Sequence, residues 1–188
     1  MGVMGLHTLY QKHNIPFKSE QARQLNIESH QFIREEAEKA SKDLASKLGE
    51  PEWCEGSGMR NSHLLAIAPT RTNSIICNAG SNGIEPIDNN YFVNKTAKGN
   101  FVRKNPQLEA RLEELGQNVL DVWDSILEMK GSVQHLDFLS PEDKEVFKTA
   151  REIDQFELIK QAADRQPFIC QAQSLNLFVD PEIPAEEL

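Results

Sequence analysis

Apolar residues recur along this chain mostly at helical spacing, and two stretches break the rhythm. Over residues 2–13, Val3, Leu6, Leu9 and Tyr10 keep a helical interval that stops before Asn14 and Pro16. A helix starting so near the first residue has no upstream element to pack on. Ser19 is placed to cap a long helix striped by Ala22, Leu25, Ser29, Phe32, Ile33, Ala37, Ala40, Leu44 and Leu48, closed by Gly49 and Pro51. A loop over 50–58 follows, with Trp53 as its packing anchor.

The first break is Leu64-Leu65-Ala66-Ile67-Ala68, a short apolar block that fits a strand buried on both faces. Pro69 ends it, and Thr70, Arg71, Thr72, Asn73 and Ser74 lead into Ile75 and Ile76. A buried strand, a hydroxyl-rich turn and a helix start make a candidate anion site, because N–H groups at a helix start point outward. The same pattern is also ordinary helix capping, and the residues alone leave both readings open. The second break pairs 91–95 with 100–104 about Ala97-Lys98-Gly99, a hairpin with Gly99 supplying a positive φ.

Helical patterns then resume. Pro106 opens one helix with Leu108, Leu112 and Leu115 on a face until Gly116. Asn118 is expected to cap the next, with Val119, Val122, Trp123, Ile126 and Leu127 inward as far as Gly131. Ser140-Pro141-Glu142-Asp143 combines a cap, a proline and first-turn acids. Asp154 is expected to cap a helix turning Phe156, Ile159 and Ala163 inward before Pro167. Residues 180–188 read as an acidic, mobile tail after a unit spanning 1–179. Helices outnumber strands, and a buried parallel strand needs neighbours on both sides that this chain hardly supplies. An incomplete domain is the expectation.

Composition narrows the classes. The 188 residues carry 20 Lys and Arg against 29 Asp and Glu, a net charge of −9. That balance excludes a surface built to coat nucleic acid, yet leaves room for a local phosphate site made of backbone amides. Cys54, Cys77 and Cys170 form no CxxC pair and read as free thiols of a reducing compartment. His7, His13 and His30 have no ligand partner at i+4. No apolar run reaches membrane-spanning length, no secretory leader is visible, and Leu6 stands where a myristoylation motif needs Ser or Thr. A cytoplasmic protein without membrane partner is expected.

Several blocks, in collinear order over most of the chain, resemble the catalytic large (alpha) subunit of class I ribonucleotide reductase. They are Arg60-Asn61-Ser62, the run from Ala66 to Ser74, Gly83-Ile84-Glu85-Pro86, Gly131-Ser132-Val133-Gln134 and the run from Gln171 to Phe178. Gly2 to Leu6 with Ile15-Pro16-Phe17 resembles the helix after that family's finger loop. The resemblance implies an α/β fold, part of a ten-stranded α/β barrel whose proline-threonine turn holds the phosphates of a ribonucleoside diphosphate. Carried over, Thr70 and Thr72 offer hydroxyls, while Arg71, Asn73 and Ser74 offer backbone N–H groups; the Arg71 side chain either adds charge or faces solvent. Pro69, Asn61 and Ser62 support the site, and Glu85-Pro86 is a structural turn.

The resemblance equally implies what this chain lacks: the radical cysteine with its Glu and Asn, the redox cysteine pair, the tyrosine relay and the regulatory cone. No catalytic residue and no cofactor is therefore expected here. The complete enzyme would need the metal/radical cofactor of the small (beta) subunit and a dithiol reductant. The expected partners are the remaining alpha fragments, the small subunit and the substrate, with a split, phage-type gene as one origin. The alternatives are a non-enzymatic helical interaction module, an orphaned remnant, or a piece of a cobalamin-dependent reductase.

Overall fold

The computed structural model describes residues 1–77, 80–96 and 99–179. Helix α1, Leu6–Lys12, starts four residues later than its apolar spacing predicts, because Gly5 adopts a left-handed φ of 79° and the preceding residues run extended. That extended start has a partner. The Met1 ammonium donates to the Leu64 carbonyl, and the Met1 carbonyl accepts the Ala66 N–H at 2.9 Å.

Helix α2, Glu20–Leu48, is capped as expected: the Ser19 hydroxyl accepts the Ala22 N–H at 3.0 Å, and Gly49 closes the last turn on the Ala45 carbonyl. Its buried face differs from the apolar stripe. Ala22, Asn26, His30, Ala37, Ser41 and Ala45 face inward, whereas Phe32 is 64% exposed and Leu44 and Leu48 also face out. Small and hydrogen-bonding residues let α2 lie close against helix α7, Gln155–Arg165. Trp53, the expected anchor, is 91% exposed on the 3₁₀ turn Glu52–Cys54; it is Cys54 that is buried there.

Residues 64–68 are extended and do have neighbours on both sides, contrary to the reading of the chain as unable to supply them. Met1 lies along one edge and residues 171–174 along the other. Ile67 bridges Gln173 in parallel: the Ile67 N–H donates to the Ala172 carbonyl at 3.2 Å, and the Ile67 carbonyl accepts the Ser174 N–H at 2.8 Å. Leu65 and Ile67 are buried. Short helix α3, Arg71–Ile76, follows.

Strands β1, Tyr91–Thr96, and β2, Gly99–Lys104, form the expected antiparallel hairpin with Tyr91 opposite Lys104; Gly99 has φ 132°, and Ala97 and Lys98 lie outside the described residues. Helix α4, Pro106–Glu114, is capped by Asn105 and buries Leu108 and Leu112. Helix α5, Leu120–Glu128, begins after Val119 with no side-chain cap. The Asn118 side-chain Oδ1 accepts the Trp123 indole N–H at 2.7 Å instead, and Val119 and Leu127 face out. Helix α6, Pro141–Val146, carries a complete capping box between Ser140 and Asp143. Asp154 caps α7 as expected, but that helix presents the opposite face: Phe156 is 70% exposed, Ile159 and Ala163 face out, and Leu158, Gln161 and Arg165 are buried. The expected tail over 180–188 lies outside the described residues.

Two apolar cores result among the described residues. One gathers α1, the inner face of α2, residues 65–67, Ile84, Leu158 and Ile169; the other gathers Tyr91, Leu108, Leu112, Trp123, Ile126, Val133 and Phe147. Buried polar networks accompany them. Asn105 donates to Gln11 at 3.0 Å and to Asn90 at 2.8 Å, and Asn90 donates to the Gly131 and Phe147 carbonyls. On the α2–α7 side, the Tyr10 hydroxyl donates to Gln161 at 3.0 Å, and the Gln161 carbonyl accepts from Asn26 at 2.9 Å. Satisfied in this way, polar groups specify one packing where apolar ones would allow several.

Candidate phosphate-binding turn

The turn after Pro69 is held from below. The Thr70 side chain does not cap α3. Its Oγ1 accepts the Gly83 N–H at 2.8 Å and hydrogen-bonds Ser74 Oγ at 3.1 Å. Gly83 sits at φ 39°, where a Cβ would stand 3.3 Å from the Ala68 carbonyl oxygen, so a side chain there would be both strained and crowded. The Thr70 carbonyl accepts the Ser74 N–H at 2.7 Å, and the Asn73 carbonyl accepts the Cys77 N–H at 2.9 Å.

That wiring sorts the expected site residues. Thr70 Oγ1 and the Ser74 N–H are engaged inside the turn, and Ser74 is buried. The N–H groups of Arg71, Thr72 and Asn73 have no partner among the described residues, and their side chains are exposed. Three first-turn donors on exposed residues are thus uncommitted among the described residues, in a turn that also carries a threonine hydroxyl and an arginine, the electrostatics that suit an oxyanion.

The supporting residues separate likewise. The Asn61 N–H donates to Ser41 Oγ at 2.9 Å and its Oδ1 accepts the Ser41 hydroxyl at 3.1 Å, tethering the segment ahead of residues 64–68 to α2. Ser62 is exposed and makes no hydrogen bond among the described residues. Buried Glu85 accepts the Asn176 backbone and side-chain N–H groups at 3.0 and 2.7 Å, which fixes the Glu85-Pro86 turn to the run ending at Phe178.

Sequence reading missed the residues that hold the turn from a distance. Gly83, Ser41 and Gln173 act through partners 13 to 106 positions away, counting the Ile67 bridge to Gln173; Gly83 and Gln173 lie in blocks named from the sequence, but no local pattern marks this role. Arg165 is another: buried, it donates to Gln173 Oε1 at 2.7 Å and Asn26 Oδ1 at 3.1 Å, and burial pulls its guanidinium down to about 10. Cys170 Sγ accepts the Leu64 and Leu65 N–H groups at 3.0 and 3.1 Å. Burial alone would raise this thiol, but those donors, aided by Arg34, hold it below its ordinary value. All three cysteines are free thiols, Cys54 buried and the others exposed. Among the described residues no three His, Cys, Asp or Glu side chains gather at metal-binding range.

The sequence profile of the ribonucleotide reductase barrel domain matches residues 1–57 and 52–188, and so covers the chain from end to end. The chain belongs to this family. It is 41% identical over its whole length to the ribonucleoside-diphosphate reductase large subunit of Invertebrate iridescent virus 6 and 39% identical over 97% of its length to that of Invertebrate iridescent virus 3. Among solved structures, the class Id ribonucleotide reductase alpha subunit of Actinobacillus ureae superposes on 99% of the chain with a TM-score of 0.91 at 45% identity. The chain spans 20% and 29% of the two viral proteins and 34% of the bacterial one. The architecture is therefore part of the ribonucleotide reductase barrel domain, rich in helix and with a two-stranded antiparallel sheet among the described residues.

Proposed function

We propose that this chain supplies the substrate-phosphate turn of a ribonucleoside-diphosphate reductase large subunit, the oxidoreductase that makes DNA precursors. One observation carries the reading: the N–H groups of exposed Arg71, Thr72 and Asn73 have no partner among the described residues, while Thr70 and Ser74 lock the turn from behind. In this reading a diphosphate accepts those N–H groups and the Thr72 hydroxyl, and Pro69, Asn61 and Ser62 hold the segment that carries the turn. A phosphate fixed on rigid donors orients the attached ribose, which is the contribution a remote binding group makes to a reaction at the sugar.

Alone, the chain is inactive. The rest of the large subunit brings the radical and redox cysteines, the small subunit brings the metal/radical cofactor, and thioredoxin or glutaredoxin serves as dithiol reductant. In this reading the parts assemble in the cytoplasm, and a split, phage-type gene is one origin for them. Adding a nucleoside diphosphate to the ¹⁵N-labelled chain should shift the Arg71, Thr72 and Asn73 amides, and the free nucleoside should not. Amide shifts elsewhere with these three unmoved would sink the assignment. Co-expression with the remaining parts of a large subunit should give a stable complex; a monomeric chain with no affinity for them or for the diphosphate would favour a plain helical interaction module.

A further inference from the structure

A cleft of about 130 Å³ lies beside the turn, on the flank of α3 that carries Arg71 and Ile75. Its other walls are the loop holding Asn82, Asp88 and Asn89 and the hairpin residues Phe92 and Arg103, which sit opposite each other across the strands. Thr72 and Asn73 do not line it. Most arginines of this acidic chain are engaged: Arg23, Arg34 and Arg111 hold carboxylates, Arg60 holds the Leu48 and Gly49 carbonyls, and Arg165 holds two amides. Arg71 and Arg103 line the same cleft and hold no partner among the described residues. Asp88, the cleft's carboxylate, pairs with neither, and Lys104 at its edge is committed to Glu109 at 3.1 Å and stacks 4.7 Å from the Trp123 ring centroid.

Two guanidiniums on the walls of one small space carry like charge, which an anion between them would offset. Guanidinium forks match the oxygens of phosphate and carboxylate. Volume decides the size of the ligand: enclosed sites for whole drug-sized molecules run to roughly 300 Å³ and above, and this cleft is less than half of that. We propose that the cleft is a second anion site, made of side chains rather than backbone amides, which takes one phosphate-sized oxyanion between Arg71 and Arg103. The site does not depend on the turn's own assignment, because Arg103 belongs to a different element.

The test titrates the chain with inorganic phosphate at constant ionic strength and follows the arginine Nε–H and backbone signals by NMR. Saturable shifts at both Arg71 and Arg103 Nε–H are expected. Arg103→Gln should weaken binding about tenfold, the worth of one charge-assisted hydrogen bond, and Arg103→Lys should weaken it less. Arg71→Gln, on the opposite wall, gives an independent second reading. No saturation, or unchanged affinity in both glutamine variants, overturns the proposal. Shifts confined to the 71–73 amides and indifferent to Arg103→Gln also overturn it while supporting the turn. Where the cleft binds, comparing pyrophosphate with a nucleoside diphosphate tells the source: equal affinity means a free oxyanion, and tighter nucleotide binding means a nucleotide head group.

Discussion

Thr70 and Gly83 are joined through the Thr70 hydroxyl, which accepts the Gly83 N–H at 2.8 Å. This single contact ties the turn after Pro69 to the loop that also accepts α1, since the Leu6 N–H donates to the Gly83 carbonyl at 3.2 Å. Side-chain isosteres separate its parts. Thr70→Val keeps the shape but strands the Gly83 N–H and the buried Ser74 hydroxyl, at a cost of about 1–3 kcal/mol. Thr70→Ser keeps the acceptor and should cost less. Urea denaturation of both variants checks this, and equal midpoints for Val and Ser would show that the hydroxyl contributes nothing.

Arg165 reaches the same turn from further away. Its bond to Gln173 holds the residue that bridges Ile67, two positions before Pro69. Arg165→Met removes a buried cation, which by itself relieves desolvation, but it orphans Gln173 Oε1 and one bond of Asn26 Oδ1. The loss outweighs that relief, because Asp164 already offsets part of the buried charge and because fully buried Asn26 cannot replace its lost bond with water, whereas half-buried Gln173 can in part. A loss of about 2 kcal/mol is expected, together with faster hydrogen exchange at the Ile67 and Ser174 amides. Unchanged exchange at those amides would disconnect Arg165 from the strand.

What the sequence made legible was local. Ser19, Ser140 and Asp154 cap their helices within three residues of their own positions, Pro106 opens α4, and Gly49 stops α2 one residue past its end. The order of residues from Pro69 to Ser74 likewise announced a turn and a helix start. The misjudged features were decided at long range. Phe156 and Phe32 look like core residues by hydropathy, yet the space between α2 and α7 is filled by Asn26, Gln161 and Arg165, whose partners lie more than a hundred positions apart. Nor could periodicity show that Met1 would lie along Leu64, or that Thr70 would turn its hydroxyl away from the open side of the site.

Asp143 serves two elements at once. Its carboxylate completes the capping box of α6 and takes a two-pronged bond from Arg111 of α4 at 2.9 and 3.1 Å. Burial would raise this carboxyl, but the Arg111 and Ser140 bonds outweigh burial and hold it below its ordinary value. Asp143→Asn should lower stability by about 1–3 kcal/mol, more than Ser140→Ala, which removes the cap alone and costs about 1 kcal/mol. Thermal or urea melts of the two variants rank them, and the reverse order would show that the cap matters more than the pairing of α4 with α6.

His7 should make stability depend on mildly acidic pH. The ring is fully buried; its Nδ1 accepts the Ile87 N–H at 2.9 Å, and its Nε2 has no partner among the described residues. Burial pulls the imidazole from 6.5 down to about 3, opposed in part by the Val146 backbone. The native state therefore holds His7 neutral, while the unfolded chain takes up a proton below 6.5. The stabilising contribution is complete above 6.5 and falls steadily as pH drops toward 3. His30 is lowered by burial as well and acts in the same direction. The Asp143 and Asp164 carboxyls, held low by Arg111 and Arg23, lose their contribution only below the ordinary carboxylate range. Between pH 6.5 and 4.5 the histidines thus dominate. Unfolding free energy should fall by about 2 kcal/mol or more over that interval in the wild type. His7→Asn, whose side-chain oxygen can still accept the Ile87 N–H, should show a clearly shallower fall with a residual slope from His30. Parallel pH profiles for the two proteins would mean that the buried ring is protonated in the folded chain and that its surroundings rearrange to solvate it.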